Sequence, residues 1–289
     1  MATLPHPAGG PMSLDALARE SGTFAMVAMD QRESLRTMFR EHGHDAGDER
    51  ARRFKTSVAR ELAPYASGFL IDKDFVEDVA PLVPHGLILA VDALTQEQGG
   101  PVEDTSLDDD ASPRGGVVAL KLLVIWRDDA RRAERVELSR RFVELARRHG
   151  LLSVLEPVVR VPEEDREHAI VEAARELGEV RPSLYKCQVP LSGRGDPDEI
   201  TRRARLVDEA LPVPWVVLSQ GVDPDDFPRA VEASCRGGAS GFLAGRALWT
   251  ATLDADDPTE LLRARSLPTL QELCEIVDAH GRPWREKGT

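Results

Sequence analysis

The sequence predicts a single (β/α)8 barrel, a TIM barrel, over residues 1–289, with an N-terminal capping helix. Three observations predict it. Eight short apolar, β-branched-rich runs recur along the chain, each nearly continuous, as suits parallel strands covered on both faces. Most intervals between them carry charge-rich segments of helical period. The length of 289 residues fits one barrel, and no Pro/Ser/Gly linker or internal repeat divides it. An open doubly wound sheet is the rival, but no G-x-G-x-x-G follows the first strand, where a dinucleotide fold places it.

In chain order, residues 1–12 read as a flexible tail and 13–20 as the helix closing the bottom of the barrel. The strands are expected at 23–30, 68–72, 87–92, 117–125, 152–159, 183–189, 214–219 and 239–244. Residues 131–149 give the clearest helix, with Val136, Phe142, Val143 and Ala146 set among Arg and Glu, and Gly150 as its stop. Residues 164–177 and 198–210 are similar, the latter capped by Asp196 before Pro197. A further helix is expected from Asp223, with Pro224 in first position, to Gly237-Gly238. The third interval, 93–116, is Gly-, Asp- and Pro-rich. It reads as a flap over the barrel mouth or an irregular surface loop, and Asp108-Asp109-Asp110 within it as solvated charge rather than a metal site.

Composition excludes several classes of function. A net charge of −13 argues against nucleic acid as a partner, and it requires local basic residues if the substrate is an anion. Cys187, Cys235 and Cys274 form neither a disulfide framework nor a zinc pattern, which fits a reducing cytoplasm. No signal peptide is visible, and no apolar stretch is long enough to cross a bilayer, so no membrane partner is expected.

In such barrels the active site lies at the C-terminal ends of the strands. Those ends carry Asp30 with Gln31, Asp72, Asp92, Lys121, Glu156, Lys186 with Gln188, Ser219 with Gly221, and Gly245 with Arg246. No histidine stands among them, so zinc chemistry is not expected and no metal is assigned. Two lysines in one mouth suggest imine chemistry. An ordinary lysine is neutral at pH 7 only about once in 2,500 molecules, and burial or a like-charged neighbour favours the free amine. Lys186 is the assigned nucleophile and Lys121 the neighbour that depresses it. On these grounds alone either lysine could serve, and a structural ion pair of Lys121 with Glu156 across the barrel explains Lys121 equally well.

Several segments carry a family resemblance. They are Ala28-Met29-Asp30-Gln31-Arg32-Glu33-Ser34, Leu120-Lys121-Leu122-Leu123, Glu156-Pro157-Val158-Val159-Arg160, Leu184-Tyr185-Lys186, Leu218-Ser219-Gln220-Gly221-Val222-Asp223 and Gly241-Phe242-Leu243-Ala244-Gly245-Arg246-Ala247. From about Ser21 to Asp278 the chain resembles class I aldolases of the tagatose-1,6-bisphosphate aldolase group. Trp126-Arg127, Arg160 and Phe227-Pro228-Arg229-Ala230-Val231 bring it closest to those acting on 6-deoxy-6-sulfofructose 1-phosphate. The resemblance implies Lys186 as the Schiff-base lysine and Glu156 as general acid/base, with Asp30, Gln31 and Lys121 completing the centre. Two positions depart from the family pattern. Gln188 stands where relatives usually have glutamate, and Gln220 replaces a small residue.

These roles imply cleavage of a ketose 1-phosphate to dihydroxyacetone phosphate and an aldehyde, without cofactor. With the sulfonated sugar the aldehyde is sulfolactaldehyde, as in sulfoquinovose breakdown, and tagatose or fructose 1,6-bisphosphate is the second choice. The turns Ser219-Gln220-Gly221 and Ala244-Gly245-Arg246 follow the last two strands, where barrels hold phosphate on backbone amides, and Arg246 adds a charged fork. Gln188 is counted with the substrate-binding residues. Asp72 and Asp92 are divided between sugar hydroxyls and helix caps. Trp126, Trp249 and Cys187 are expected to pack the barrel, and His42, His44 and His149 to lie on the surface. Rival readings are a barrel that binds sugar phosphate without turnover, which Gln188 favours, and a metal-dependent lyase. A homo-oligomer is expected, as barrels of this kind are commonly paired.

Overall fold

The computed structural model describes residues 12–108 and 115–287. Eight parallel strands close into a barrel: β1 (Phe24–Met29), β2 (Gly68–Asp72), β3 (Leu87–Ala90), β6 (Val117–Trp126), β7 (Leu152–Val159), β8 (Leu184–Gln188), β9 (Trp215–Leu218) and β10 (Gly241–Ala244). β10 pairs with β1 to complete the ring. All eight expected strands are present, with ends within a few residues of expectation, because runs apolar on both faces admit no solvent-facing alternative.

Around the barrel lie α1 (Glu33–Glu41), α2 (Asp48–Leu62), the single turn α3 (Val76–Val79), α4 (Arg132–Arg148), α5 (Arg166–Gly178), α6 (Pro197–Ala210) and α7 (Phe227–Arg236). The short α8 (Arg246–Trp249) follows the last strand. After it, α9 (Thr259–Leu261) runs through a π-turn into α10 (Leu267–His280). Asp196 caps α6 as expected, its carboxylate accepting from Asp198 N. α7 begins later than expected. Asp223–Asp226 close a turn of their own, with Asp225 N on the Asp223 carboxylate, so Pro228 rather than Pro224 occupies the first helical turn. The N-terminal cap is one 3-10 turn, Leu14–Ala16, rather than a helix over 13–20. Leu14 and Leu17 still plug the barrel floor against Phe24 and Leu152.

The third interval corrects the sequence reading. β4 (Asp92–Gln96) and β5 (Val102–Leu107) form an antiparallel hairpin, not an irregular loop, and it stands where a third barrel helix would be. Its strands alternate half-buried and exposed positions, but polar residues such as Thr95, Glu103 and Ser106 carry much of the alternation, so an apolar pattern did not reveal it. Ion pairs Arg127–Glu103, at 3.1 Å, and Arg131–Asp104 tie it to the barrel rim. Asp109 and Asp110 lie outside the described residues.

One glycine is a fixed requirement of barrel closure. Gly241 has φ +139°, and a Cβ there would stand 1.9 Å from the Phe24 carbonyl oxygen on the paired strand. Gly241→Ala is therefore expected to cost at least about 2 kcal/mol, from backbone strain and the clash together. Urea unfolding with an unchanged midpoint would contradict this.

Candidate active site

Side-chain alternation builds the site. In five strands an apolar residue facing the barrel interior precedes a polar one by two positions: Ala28 before Asp30, Ala90 before Asp92, Ala119 before Lys121, Val154 before Glu156 and Leu184 before Lys186. A period of two puts both members on the inner face, so the five polar groups crown the apolar filling at the C-terminal end.

Lys121 is the hub. Its side chain is 3% exposed, and its Nζ lies 2.8 Å from Asp30 Oδ2, 2.9 Å from Glu156 Oε2 and 3.3 Å from Asp92 Oδ1. Burial pushes this ammonium down, but the charges of Asp30, Asp92 and Glu156 outweigh it and hold the group well above its usual 10.5. Burial likewise pushes Asp30 up, and the charges of Lys121 and Lys186 hold it below its ordinary range. The pairing of Lys121 with Glu156 is between neighbouring strands, Lys121 standing opposite Val154 in the ladder, not across the barrel.

Lys186 Nζ lies 3.0 Å from the same oxygen, Glu156 Oε2, and its side chain is 4% exposed. Neither lysine contact to that oxygen has hydrogen-bond geometry. One carboxylate therefore stands between two amines, one fixed as a cation by three carboxylates and the other with Glu156 beside it. A carboxylate so placed can receive a proton from Lys186 and return one to a bound molecule.

The mouth opens into a cavity of about 250 Å³, walled by Asp30, Gln31, Glu156, Arg160, Gln220 and Arg246, with hairpin residues on one side. Burial pushes Arg246 below its usual 12.5, although Glu156 and Asp30 attract it. Gly245 precedes it, and a Cβ there would meet the Ala28 carbonyl at 2.4 Å. Gly221 has φ +81° in the turn after β9, and Ser219 Oγ accepts from Ala247 N at 3.5 Å, linking the two expected turns. Gln31 Oε1 is buried without a partner among the described residues.

Of the expected substrate contacts, Gln31 and Arg246 line the cavity, whereas Gln188, Ser219, Gly221 and Gly245 do not. Gln188 Oε1 accepts from Val159 N at 2.8 Å, so the amide joins the ends of β7 and β8. Asp72 neither touches the cavity nor caps a helix. It takes the buried ammonium of Lys55 and accepts from Asp74 N at 3.1 Å. Asp92 holds Lys121, the Leu123 amide at 3.2 Å and both Nη atoms of Arg32. Cys187 faces the outer layer, where burial raises its thiol to about 12. Trp249 packs edge-on against Phe54, and Trp126 donates to Glu176. His42 and His149 are exposed and His44 half-buried.

Sequence reasoning missed Arg32, Lys55 and the hairpin wall. For Lys55 a signal existed. With Ala51, Val58, Ala59 and Leu62 it shares one helical face of α2, all of it buried. Among the described residues no helix is long and apolar enough to cross a membrane.

The chain matches known proteins along most of its length. Residues 24–251 match the model of the DeoC/LacD family aldolases. The chain is 25% identical to a tagatose 1,6-diphosphate aldolase of Listeria monocytogenes serotype 4a (strain HCC23), covering 95% of this chain and 93% of that protein. It is 22% identical to tagatose 1,6-diphosphate aldolase 1 of Streptococcus mutans, over 95% and 97%. Among solved structures, a fructose-bisphosphate aldolase from Slackia heliotrinireducens superposes with a TM-score of 0.67 at 18% identity, over 92% of this chain and 88% of that one. An archaeal fructose-1,6-bisphosphate aldolase, with its catalytic lysine bound to a carbinolamine intermediate, superposes at 0.59 and 19% identity, over 92% and 98%. The family match spans most of the barrel, and the chain belongs to the DeoC/LacD family of aldolases: it is a carbon–carbon lyase of class I, the Schiff-base kind.

Proposed function

We propose that this aldolase cleaves a ketose 1-phosphate bearing a second anionic group at carbon 6, with 6-deoxy-6-sulfofructose 1-phosphate as its preferred substrate. The observation that carries the chemistry is the buried Lys186 amine, 3.0 Å from Glu156 Oε2 at the barrel mouth. Lys186 passes a proton to Glu156 and adds to the C2 carbonyl; Glu156 returns that proton to the carbinolamine hydroxyl, whose loss as water leaves an iminium and an ionised Glu156. Glu156 removes the C4 hydroxyl proton, and the C3–C4 electron pair flows into the iminium as the aldehyde departs. Protonation of the enamine at C3 and hydrolysis release dihydroxyacetone phosphate and restore the amine. Lys121 holds Asp30 and Glu156 in place throughout, and Gln31 offers its amide to the sugar.

Arg246, with the turns at Ser219–Gly221 and Gly245, is assigned to the C1 phosphate. Arg160 is assigned to the far anion. One guanidinium, sharing the cavity lining with the neutral Gln220, suits a monoanionic sulfonate, whereas a phosphate carries about −1.5 to −2 at pH 7. The resemblance at Trp126-Arg127 and Arg160 supports the same choice. Tagatose 1,6-bisphosphate is the second reading, supported by the names of the curated relatives.

Borohydride reduction with each substrate, followed by mass analysis, tests both. A mass gain on Lys186 is expected, larger with the sulfonated sugar; no gain on Lys186 with any ketose phosphate refutes the proposal. Arg160→Met is expected to raise KM for the cleaved sugar about 10- to 100-fold, the worth of a charged hydrogen bond. Trapping of dihydroxyacetone phosphate, which lacks the far anion, should be unchanged. Equal loss of both would reassign Arg160 to the C1 phosphate.

A further inference from the structure

We infer that Lys55 is a positioning residue for the reacting centre: its ammonium clamps the two backbone carbonyls that flank Asp30, and so sets where the Asp30 carboxylate and Gln31 amide stand. The inference rests on the aldolase reading above and deepens it.

Lys55 comes from α2, outside the barrel, and its side chain is 1% exposed. An ammonium has three protons to donate. Here one goes to Met29 O at 3.0 Å, one to Gln31 O at 2.9 Å and one to the Asp72 carboxylate. None is left for a substrate, so the role is indirect. The Phe75 ring, 4.8 Å from Nζ, closes the remaining side.

The position of these acceptors gives the clamp its meaning. The ladder between β1 and β2 ends at Met29, paired with Ile71, and that between β1 and β10 ends at Val27. Residues 30 and 31 therefore lie beyond the strand's own hydrogen bonds, at the point where the site needs them fixed. In an extended chain the carbonyls of residues i and i+2 point the same way. Lys55 takes both, standing in for the neighbouring strand that the ladder no longer supplies. From there contacts run without a gap to the nucleophile: Asp30 to Lys121 at 2.8 Å, Lys121 to Glu156 at 2.9 Å, Glu156 to Lys186 at 3.0 Å. A buried lysine–aspartate pair is seldom a gain in stability over an apolar pair of similar volume. Its presence directly behind Asp30 points to geometry instead.

The test uses Lys55→Met and the double variant Lys55→Met/Asp72→Asn, which removes the carboxylate the single variant strands in the core. Sites are counted by borohydride trapping of dihydroxyacetone phosphate on Lys186, so that kcat refers to competent, folded molecules. The substrate is whichever of 6-deoxy-6-sulfofructose 1-phosphate and tagatose 1,6-bisphosphate the wild type cleaves faster. Lys55→Met is expected to lose about 10- to 100-fold in kcat per trapped site with KM within about threefold, the effect of a reacting group displaced by about an ångström. The double variant should regain most of the lost Tm and none of the kcat. A single variant with per-site kcat within about twofold of wild type overturns the inference. So does a double variant that recovers Tm and kcat together, because then Lys55 only neutralises Asp72. A wild type that is not trapped at Lys186 refutes the aldolase reading itself, whereas a trapped wild type with an unimpaired Lys55→Met refutes only the clamp.

Discussion

Replacing Lys186 by methionine is expected to abolish cleavage, lowering kcat by at least ~10^4-fold, or about 5.4 kcal/mol of barrier. The reasoning is chemical. Without an amine at that position no iminium forms, and the C3–C4 electrons have nowhere to go. Methionine keeps the length and apolar volume of the stem, so the strand should stay packed between Leu184 and Gln188. Glu156 keeps Lys121 at 2.9 Å, so the variant does not strand a buried carboxylate. Tm should therefore change little while turnover disappears. Turnover within tenfold of wild type by a folded Lys186→Met protein would end the Schiff-base assignment at this residue.

Lys121→Met is expected to be the most damaging substitution to the fold and site together. It strands the carboxylate of Asp30 and weakens the hold on Asp92 and on Glu156, which keeps Lys186 at 3.0 Å, and breaking a buried ion pair costs about 3–5 kcal/mol. The pH dependence gives this prediction its sign. Asp30 has a folded-state value below its usual 3.8, held there by Lys121 and Lys186 against burial. Its contribution to stability is present above 3.8 and lost as pH falls through the depressed value. In Lys121→Met burial dominates and the carboxyl rises, so the stability gap to wild type should be widest near pH 7 and narrow below about pH 4. On the alkaline side the raised ammonium of Lys121 keeps its contribution up to 10.5 and loses it only above. Urea unfolding at pH 7 and pH 4 measures the gap. A gap that is constant, or wider in acid, would show that Lys121 does not hold these carboxylates ionised.

The inward-facing charges at the strand ends were legible because each followed an apolar interior residue by two positions, as Lys186 follows Leu184 and Glu156 follows Val154. From the residues alone either amine could be the nucleophile, and the arrangement between them was not legible. That depends on Glu156 Oε2 lying between Lys121 and Lys186, a fact of strand stagger that spacing in sequence does not encode. Arg32 was hidden by the loop that carries it, since its partner Asp92 is 60 residues away. Lys55 was hidden by a habit of reading, which treats lysine in a charge-rich helix as solvated even when its helical neighbours are apolar. The hairpin was hidden because its strands pair with each other and only scattered residues, such as Val102 and Leu107, pack against the barrel.

That last property has an outcome for how such an enzyme can diversify. The staves of the barrel carry the reacting groups, while Leu94, Pro101 and Val102 on the hairpin stand against one side of the bound molecule's space. β4 and β5 form their own two-stranded sheet. Apart from Asp92, which holds Lys121, residues there can be exchanged, lengthened or recharged without breaking any rung between staves. Selectivity on that side can thus drift quickly under selection while the bond-breaking apparatus stays still.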